Sequence, residues 1–394
     1  MKKFISLLLV CLMVVPFGML ATTGVSADTA KTVYVSDNGD DAKDGSAADK
    51  AVKTMTKAYE LLGTAGGTIV IADTYTQAAH FLAPEHTGKV TIKGATADAQ
   101  YNINASARFV LGGPTEFDSF KYVIKSTVTW MIVCRFNDFT VNETVVGNRN
   151  GKDCIAVLGV QSDNDATKMH ATTTPKDATL TLNGGDWTDV IGLGRNGLGT
   201  PSGTPLTAAD FEGVDLTINI GGNVVLQKLY LAMRSVGTTY AQEFVPNASC
   251  TVNLNGGTIG QFACLHDIKT LNYGFAKGAT FNIGKDFDIS KSFTVTPVAG
   301  VYSGISGDSA WDATSYTATP VGKTKIVCAE EVYSTISSSD KVRVDSFASV
   351  EKAVAQTPDQ PGDTPSTGDM TWVVAVVAAA AVMGSAVVLK KREN

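Results

Sequence analysis

Thr179-Leu180-Thr181-Leu182-Asn183-Gly184-Gly185, Leu216-Thr217-Ile218-Asn219-Ile220-Gly221-Gly222, Thr251-Val252-Asn253-Leu254-Asn255-Gly256-Gly257 and Thr280-Phe281-Asn282-Ile283-Gly284 share one pattern. Apolar residues alternate with small polar ones, and the run then breaks at glycine. This reads as a short strand followed by a turn that needs positive φ. Leu180, Leu216, Val252 and Phe281 take equivalent places, roughly 29 to 36 residues apart, within the period range of a solenoid or array. A strand with one apolar face cannot bury it alone, so the same strand stacks coil upon coil. The spacing predicts an all-β chain, a parallel β-helix, with Leu, Ile, Val and Phe inside and Thr and Asn outside or in side-chain ladders.

Other segments extend the pattern on both sides. Val33–Val35, Gly66–Asp73, Val90–Gly94, Phe109–Gly113, Lys121–Ile124, Trp130–Val133, Phe139–Val141 and Cys154–Val160 read as strands. Phe293–Val298 and Lys325–Cys328 are expected to close the array, where the repeat weakens. Between Val52 and Leu62, Val52, Met55, Tyr59 and Leu62 fall at helical spacing, with Asp49 a candidate N-cap and Gly63 the stop. Such a helix before the first coil would cover the open end of the solenoid. Asp163–Pro175 and Asn196–Ala209 are polar or Gly/Pro-rich and are expected to loop outward.

Tyr34-Val35-Ser36, the Gly39/Gly45 loop, Lys53-Thr54, Lys57-Ala58 and Gly67-Thr68-Ile69 resemble the N-terminal start of right-handed parallel β-helix proteins of the pectin-lyase-like superfamily. The resemblance covers about forty residues and implies right-handed coils with that helix as an N-terminal capping helix. It implies little chemistry, because the superfamily holds lyases, hydrolases and noncatalytic surface proteins.

The two ends carry different information. Met1-Lys2-Lys3, an apolar run from Phe4 to Leu20 and Val25-Ser26-Ala27 form a signal peptide over residues 1–27, the alternative being an uncleaved anchor. The β-helix domain is expected over 28–352 and a Pro/Gly/Asp/Gln linker over 353–363. Residues 364–394 place Pro365, Thr367 and Gly368 ahead of a transmembrane helix at 372–389 and a basic tail, Lys390-Lys391-Arg392. This order resembles the cell-wall sorting signal of Gram-positive surface proteins, with Thr364 where leucine is usual. The resemblance implies sortase and peptidoglycan as partners, cleavage between Thr367 and Gly368, and a location on the extracellular face of the wall. A simple membrane anchor is the alternative.

Composition narrows the function. The net charge of −6, with few basic runs, argues against nucleic acid as a partner. Beyond Cys11 in the leader, Cys134, Cys154, Cys250, Cys264 and Cys328 are odd in number and lack C-x-x-C spacing, so buried single thiols are expected. His80, His86, His170 and His266 are scattered, so no metal site and no cofactor are expected. Cys264 and His266 share one strand face without a third orienting group, and Gly192-x-Gly194 is too short for a nucleotide loop. The sequon Asn247-Ala248-Ser249 carries no weight in a bacterial wall protein.

Asp186, Asp189 and Arg195 are the candidates for catalysis and Trp187 for sugar stacking, against a reading in which Trp187 packs inside the coil and the acids are solvated. Asp40-Asp41 sits in the N-terminal loop, and the motifs that resemblance to polygalacturonases or pectate lyases would require are absent. The expectation is a wall-anchored, noncatalytic adhesin or glycan-binding solenoid whose ligand is a polysaccharide or host-surface glycan. The competing expectation is a polysaccharide lyase or glycoside hydrolase. A structural spacer fits the sequence equally.

Overall fold

The computed structural model describes residues 31–105, 107–125, 129–161, 173–195, 206–234, 244–267, 272–297, 301–309 and 324–353. The expected signal peptide, His170, Pro365, Thr367, Gly368 and the expected span at 372–389 lie outside them. The chain divides into two compact units between Lys352 and Ala353, and the strands make up the first. Among the described residues no helix is long and apolar enough to cross a membrane.

Every strand pairing among the described residues is parallel. The first sheet has eleven strands in strict chain order, running from Thr32–Val35 through Ala178–Leu182, Asp215–Ile220, Ser249–Leu254 and Ala279–Ile283 to Ser349–Lys352. The second has nine, from Phe81–Leu82 to Val342–Arg343, and two shorter ladders of four and three strands complete the coils. Each coil adds one strand to the first sheet and crosses to another sheet before returning. The fold is an all-β parallel solenoid.

Register converts the alternation into a core. One column of inward side chains runs Val33, Ile69, Ile92, Phe117, Val141, Leu182, Ile220, Leu254, Ile283 and Cys328, each directly over the last. All ten are essentially fully buried. The register differs in one place from the sequence expectation. Leu180 stacks on Ile218, and Leu216 stacks on Ala178. Leu216 and Ile218 both point inward, so the apolar face is the expected one while the register shifts by two. The cause is local: small, buried Ala178 is the first inward residue of its strand, one inward position ahead of Leu180. The glycines give no firmer guide, because Asn183 separates Leu182 from Gly184 whereas Ile220 meets Gly221 directly.

The outward face carries an amide ladder. Asn219 Nδ2 donates to Thr181 Oγ1 at 3.0 Å, Asn253 Nδ2 to Asn219 Oδ1 at 2.7 Å, and Asn282 Nδ2 to Asn253 Oδ1 at 2.8 Å. The central amides both donate and accept, as an in-register parallel stack allows. At the turns beyond, Gly185, Gly222 and Gly257 have φ of 88°, 53° and 69°, where a Cβ is disfavoured.

The first helix, α1, Met55–Leu62, buries Met55, Ala58, Tyr59 and Leu62 against the first two strands of the first sheet. Its N-cap is Thr54, whose side chain accepts from Lys57 N, and not Asp49, which lies in a preceding 3-10 turn. Asp41 fixes this start by accepting from Lys53 N, Thr54 N and Thr54 Oγ1 at 2.8, 2.9 and 2.8 Å. At the other end, α2, Glu330–Ser337, packs on Thr324–Cys328 and on Ser349–Lys352. Residues 293–297 form no strand; Ser292 and Phe293 are buried and hydrogen-bond Ile259 instead.

Aromatic side chains fill the N-terminal half of the interior. Tyr101, Phe117, Phe120 and Trp130 lie with ring centroids 5.4 to 6.4 Å apart. The Tyr101 hydroxyl and Trp130 Nε1 both donate to buried Gln77 Oε1 at 3.1 Å, so the cluster's polar atoms are satisfied. Among the described residues the five cysteines are buried thiols outside any disulfide.

The ladder makes a graded prediction. Asn253→Ala removes two rungs and Asn282→Ala one, so the losses should be about 2 and about 1 kcal/mol. Urea unfolding followed by far-ultraviolet circular dichroism would measure both; equal losses would mean that the amides act independently.

Candidate functional site

Where the strands of the first sheet end, the chain turns toward the four-stranded ladder in the earlier coils and toward the second sheet in the later ones, and these turns line a groove. One stretch, of about 410 Å³, is lined by Asp118, Asn142, Glu143, Thr144, Asn183 and Gly222. The next, of about 460 Å³, starts from the same Gly222 and continues past Asn223, Val225, Asn255 and Thr258 to Asp286, Asp288 and Lys291. The shared glycine joins the two into one surface that crosses several coils. Close packing explains its small residues: a Cβ on Gly222 would lie 2.3 Å from the Asn183 carbonyl oxygen, and one on Gly284 would lie 2.3 Å from Asn255 Oδ1.

The groove offers amides and ionised acids. Asn223 Nδ2 donates to the Glu143 carbonyl at 3.2 Å, and Asn142 Nδ2 to Glu116 Oε1 at 3.1 Å. Burial works to raise the Asp118 carboxyl, but hydrogen bonds from Thr144 and Ser119 outweigh it and hold it below the usual range. The Ser290 hydroxyl, helped by Lys291, pulls Asp288 down to about 2. A glycosidase acid must instead hold a proton near neutral pH. These two carboxylates cannot serve as proton donors there.

The sequence candidates fall in three places. Trp187 is fully buried, packs 6.0 Å from the Tyr122 ring and donates Nε1 to the Gly184 carbonyl at 3.0 Å. It presents no face to a sugar, which corrects its candidacy for stacking. Asp186 Oδ1 accepts from Arg149 Nε at 2.7 Å. Asp189, 1% exposed, lies 2.7 Å from Arg234 Nη1 through Oδ2. The two acids thus answer to different arginines and do not form a catalytic pair.

Arg195 does join Asp189's neighbourhood. Gln161, Arg195 and Arg234 are register partners in the three-stranded ladder, so the two guanidinium groups rise from adjacent rungs. Burial works to lower Arg234, but Asp189 opposes it and holds the guanidinium above its ordinary value. Burial, then the neighbouring Arg234, pushes Arg195 down to about 10. Arg234, the Asp189 partner, is not among the sequence candidates; it follows Met233 in a two-residue strand that no periodicity marks.

His86, His266 and the described thiols are buried in the fold. Cys264 Sγ donates to the His266 carbonyl at 3.2 Å, and both residues are fully buried. His86 is buried with Nδ1 2.8 Å from the Gly88 carbonyl, so Nδ1 carries the proton, while Nε2 is enclosed without a partner. Burial lowers its pKa, opposed by the Gly88 bond. Among the described residues no group of three or more His, Cys, Asp or Glu could hold a metal.

Comparison with protein-family models, curated proteins and solved structures finds no match for this chain.

The buried groups set two expected outcomes. Asp189→Ala leaves Arg234 without its counter-charge and should cost about 3 kcal/mol of stability, read as a lower denaturation midpoint. A histidine whose folded pKa lies below its unfolded one binds fewer protons when folded. Its contribution is intact above about pH 6.5 and is lost as pH falls below that value. Melting temperature should therefore drop on acidification, and His86→Gln should flatten that part of the profile; an unchanged slope would exclude His86 as its source.

Proposed function

We propose that this chain is a wall-displayed, right-handed parallel β-helix that binds an extended polysaccharide along the corner groove without cleaving it. The observation that carries the reading is the groove itself: a multi-coil surface lined by asparagines, with Asp118 and Asp288 held ionised. Amide side chains donate and accept at once, as sugar hydroxyls do. A rigid repetitive flank suits a repetitive ligand. The leader and the Pro365-x-Thr367-Gly368 signal motivate the location, with sortase and peptidoglycan as partners in display and an environmental or host-surface glycan as ligand. Kinship with pectin-lyase-like proteins belongs to the same proposal and rests on the N-terminal segment through α1.

A second reading, a surface polysaccharide lyase, draws support from Asp189 beside Arg195 and Arg234. Burial of Asp189 and its engagement with Arg234 weigh against it as a base.

A panel of polysaccharides, scored for binding and for release of reducing or unsaturated ends, tests both readings. At least one polymer should bind and none should be cleaved. Asn183→Ala/Asn223→Ala should weaken binding about tenfold or more, corresponding to about 1.4 kcal/mol. Unsaturated products would favour the lyase, and unaltered binding by the double variant would remove the groove from the account.

A further inference from the structure

On a different flank from the groove, a small cleft of about 150 Å³ is lined by His80, Arg108, Thr129, Gln161 and Arg195, together with apolar Ala107 and Met131. We propose that it is a binding site for a carboxylate group, with Arg195 as its principal ligand. This site stands or falls independently of the groove.

Charge points to it first. The protein is acidic, with a net −6, yet this cleft brings two arginines to one wall and has a third, Arg234, one rung above Arg195. Parallel rungs lie about 4.8 Å apart, so like charges repel across the ladder. Asp189 pairs with Arg234 at 2.7 Å. Asp189 and exposed Asp153 offset the field on Arg195, while Arg234 and Arg108 add to it. Hydrogen bonding points the same way. Arg195 Nε is buried and has no partner. A guanidinium N–H enclosed without an acceptor is costly, because it has given up water and gained nothing. Arg195 itself lines the cleft, so its fork is the donor nearest to hand for a ligand there.

The size and shape of the donor set indicate which acceptor. Guanidinium is a planar fork that matches the two oxygens of a carboxylate. His80 Nδ1 accepts the Arg108 backbone N–H at 3.1 Å, which places the neutral ring's proton on Nε2. Thr129 and buried Gln161 complete the lining. With Ala107 and Met131 beside them, the lining suits a carboxylate attached to a carbon skeleton better than a fully hydrated polyanion. Such a carboxylate arrives either free, as on a small acid, or as part of an acidic sugar, and two probes separate these sources.

The test is calorimetric titration of the full-length chain with acetate, glucuronate, glucose and inorganic phosphate, each to concentrations on the order of 10 mM, with melting temperature recorded alongside. Glucuronate should bind and raise the melting temperature, while glucose should not. Arg195→Gln should lose glucuronate binding by about tenfold or more, Arg195→Lys should retain part of it, and the distant Lys277→Gln should leave it unchanged. Acetate binding as strongly as glucuronate supports a free acid as the ligand; glucuronate alone supports an acidic sugar. Binding of phosphate without either carboxylate overturns the assignment, as does glucuronate binding that survives Arg195→Gln in a folded variant. Failure of this site leaves the groove untouched, since the Asn183/Asn223 variant reads the groove separately.

Discussion

Burying one face of each short strand governs the whole structure. A strand of five residues cannot cover its own apolar side chains, and its backbone groups need partners on both edges. Stacking in parallel register meets both requirements, provided that equal side chains fall on equal rungs. The column from Val33 to Cys328 shows that condition met over ten strands. The Thr181–Asn219–Asn253–Asn282 ladder shows the same register on the outer face. Inside, a register slip by one residue would expose the column. Outside, it would break every rung of the ladder.

Function follows from what stacking leaves at the corners. Turn residues pile up just as strand residues do, so a turn chemistry repeated along the sequence becomes a line on the surface. Asn142, Asn183, Asn223 and Asn255 line that surface, and glycines keep the backbone close beneath it. The arginine cleft arises in another way. It depends on Arg195 and Arg234, which sit in two-residue strands of the short ladder, and on Arg108, which comes from an earlier coil. Repetition builds the groove; convergence of non-repeating residues builds the cleft.

That difference sets how much can be read from sequence. Strand alternation and glycine breaks mark the inward faces, and most strands lie where the pattern puts them. Register is harder, because Ala178 is too small to announce itself as the first inward residue, and matching the first large apolar side chains misplaces Leu216. The helix start falls at Thr54 and not at Asp49 because the side chain that fixes it, Asp41, is far back in a loop. The C-terminal helix is legible in principle: Glu330 and Glu331 precede Val332, Tyr333 and Ile336 at helical spacing. Trp187 fails as a sugar platform because burial in a coil depends on which face the turn before it selects. Arg195 is visible as a charged residue near two acids, but only folding pairs Asp189 with Arg234 and leaves Arg195 facing a cleft.

Parallel register in the first sheet is the claim on which the groove and the ladder both depend. Thr217 and Thr251 are half-buried register partners on adjacent rungs, whereas Thr217 and Asn253 are displaced by two residues. Oxidation of a Thr217→Cys/Thr251→Cys variant should give a disulfide readily, since neighbouring parallel strands bring Cα atoms within the bridging range of about 4.4–6.8 Å, and Thr217→Cys/Asn253→Cys should not. Efficient bridging of the displaced pair with failure of the matched pair would contradict the account.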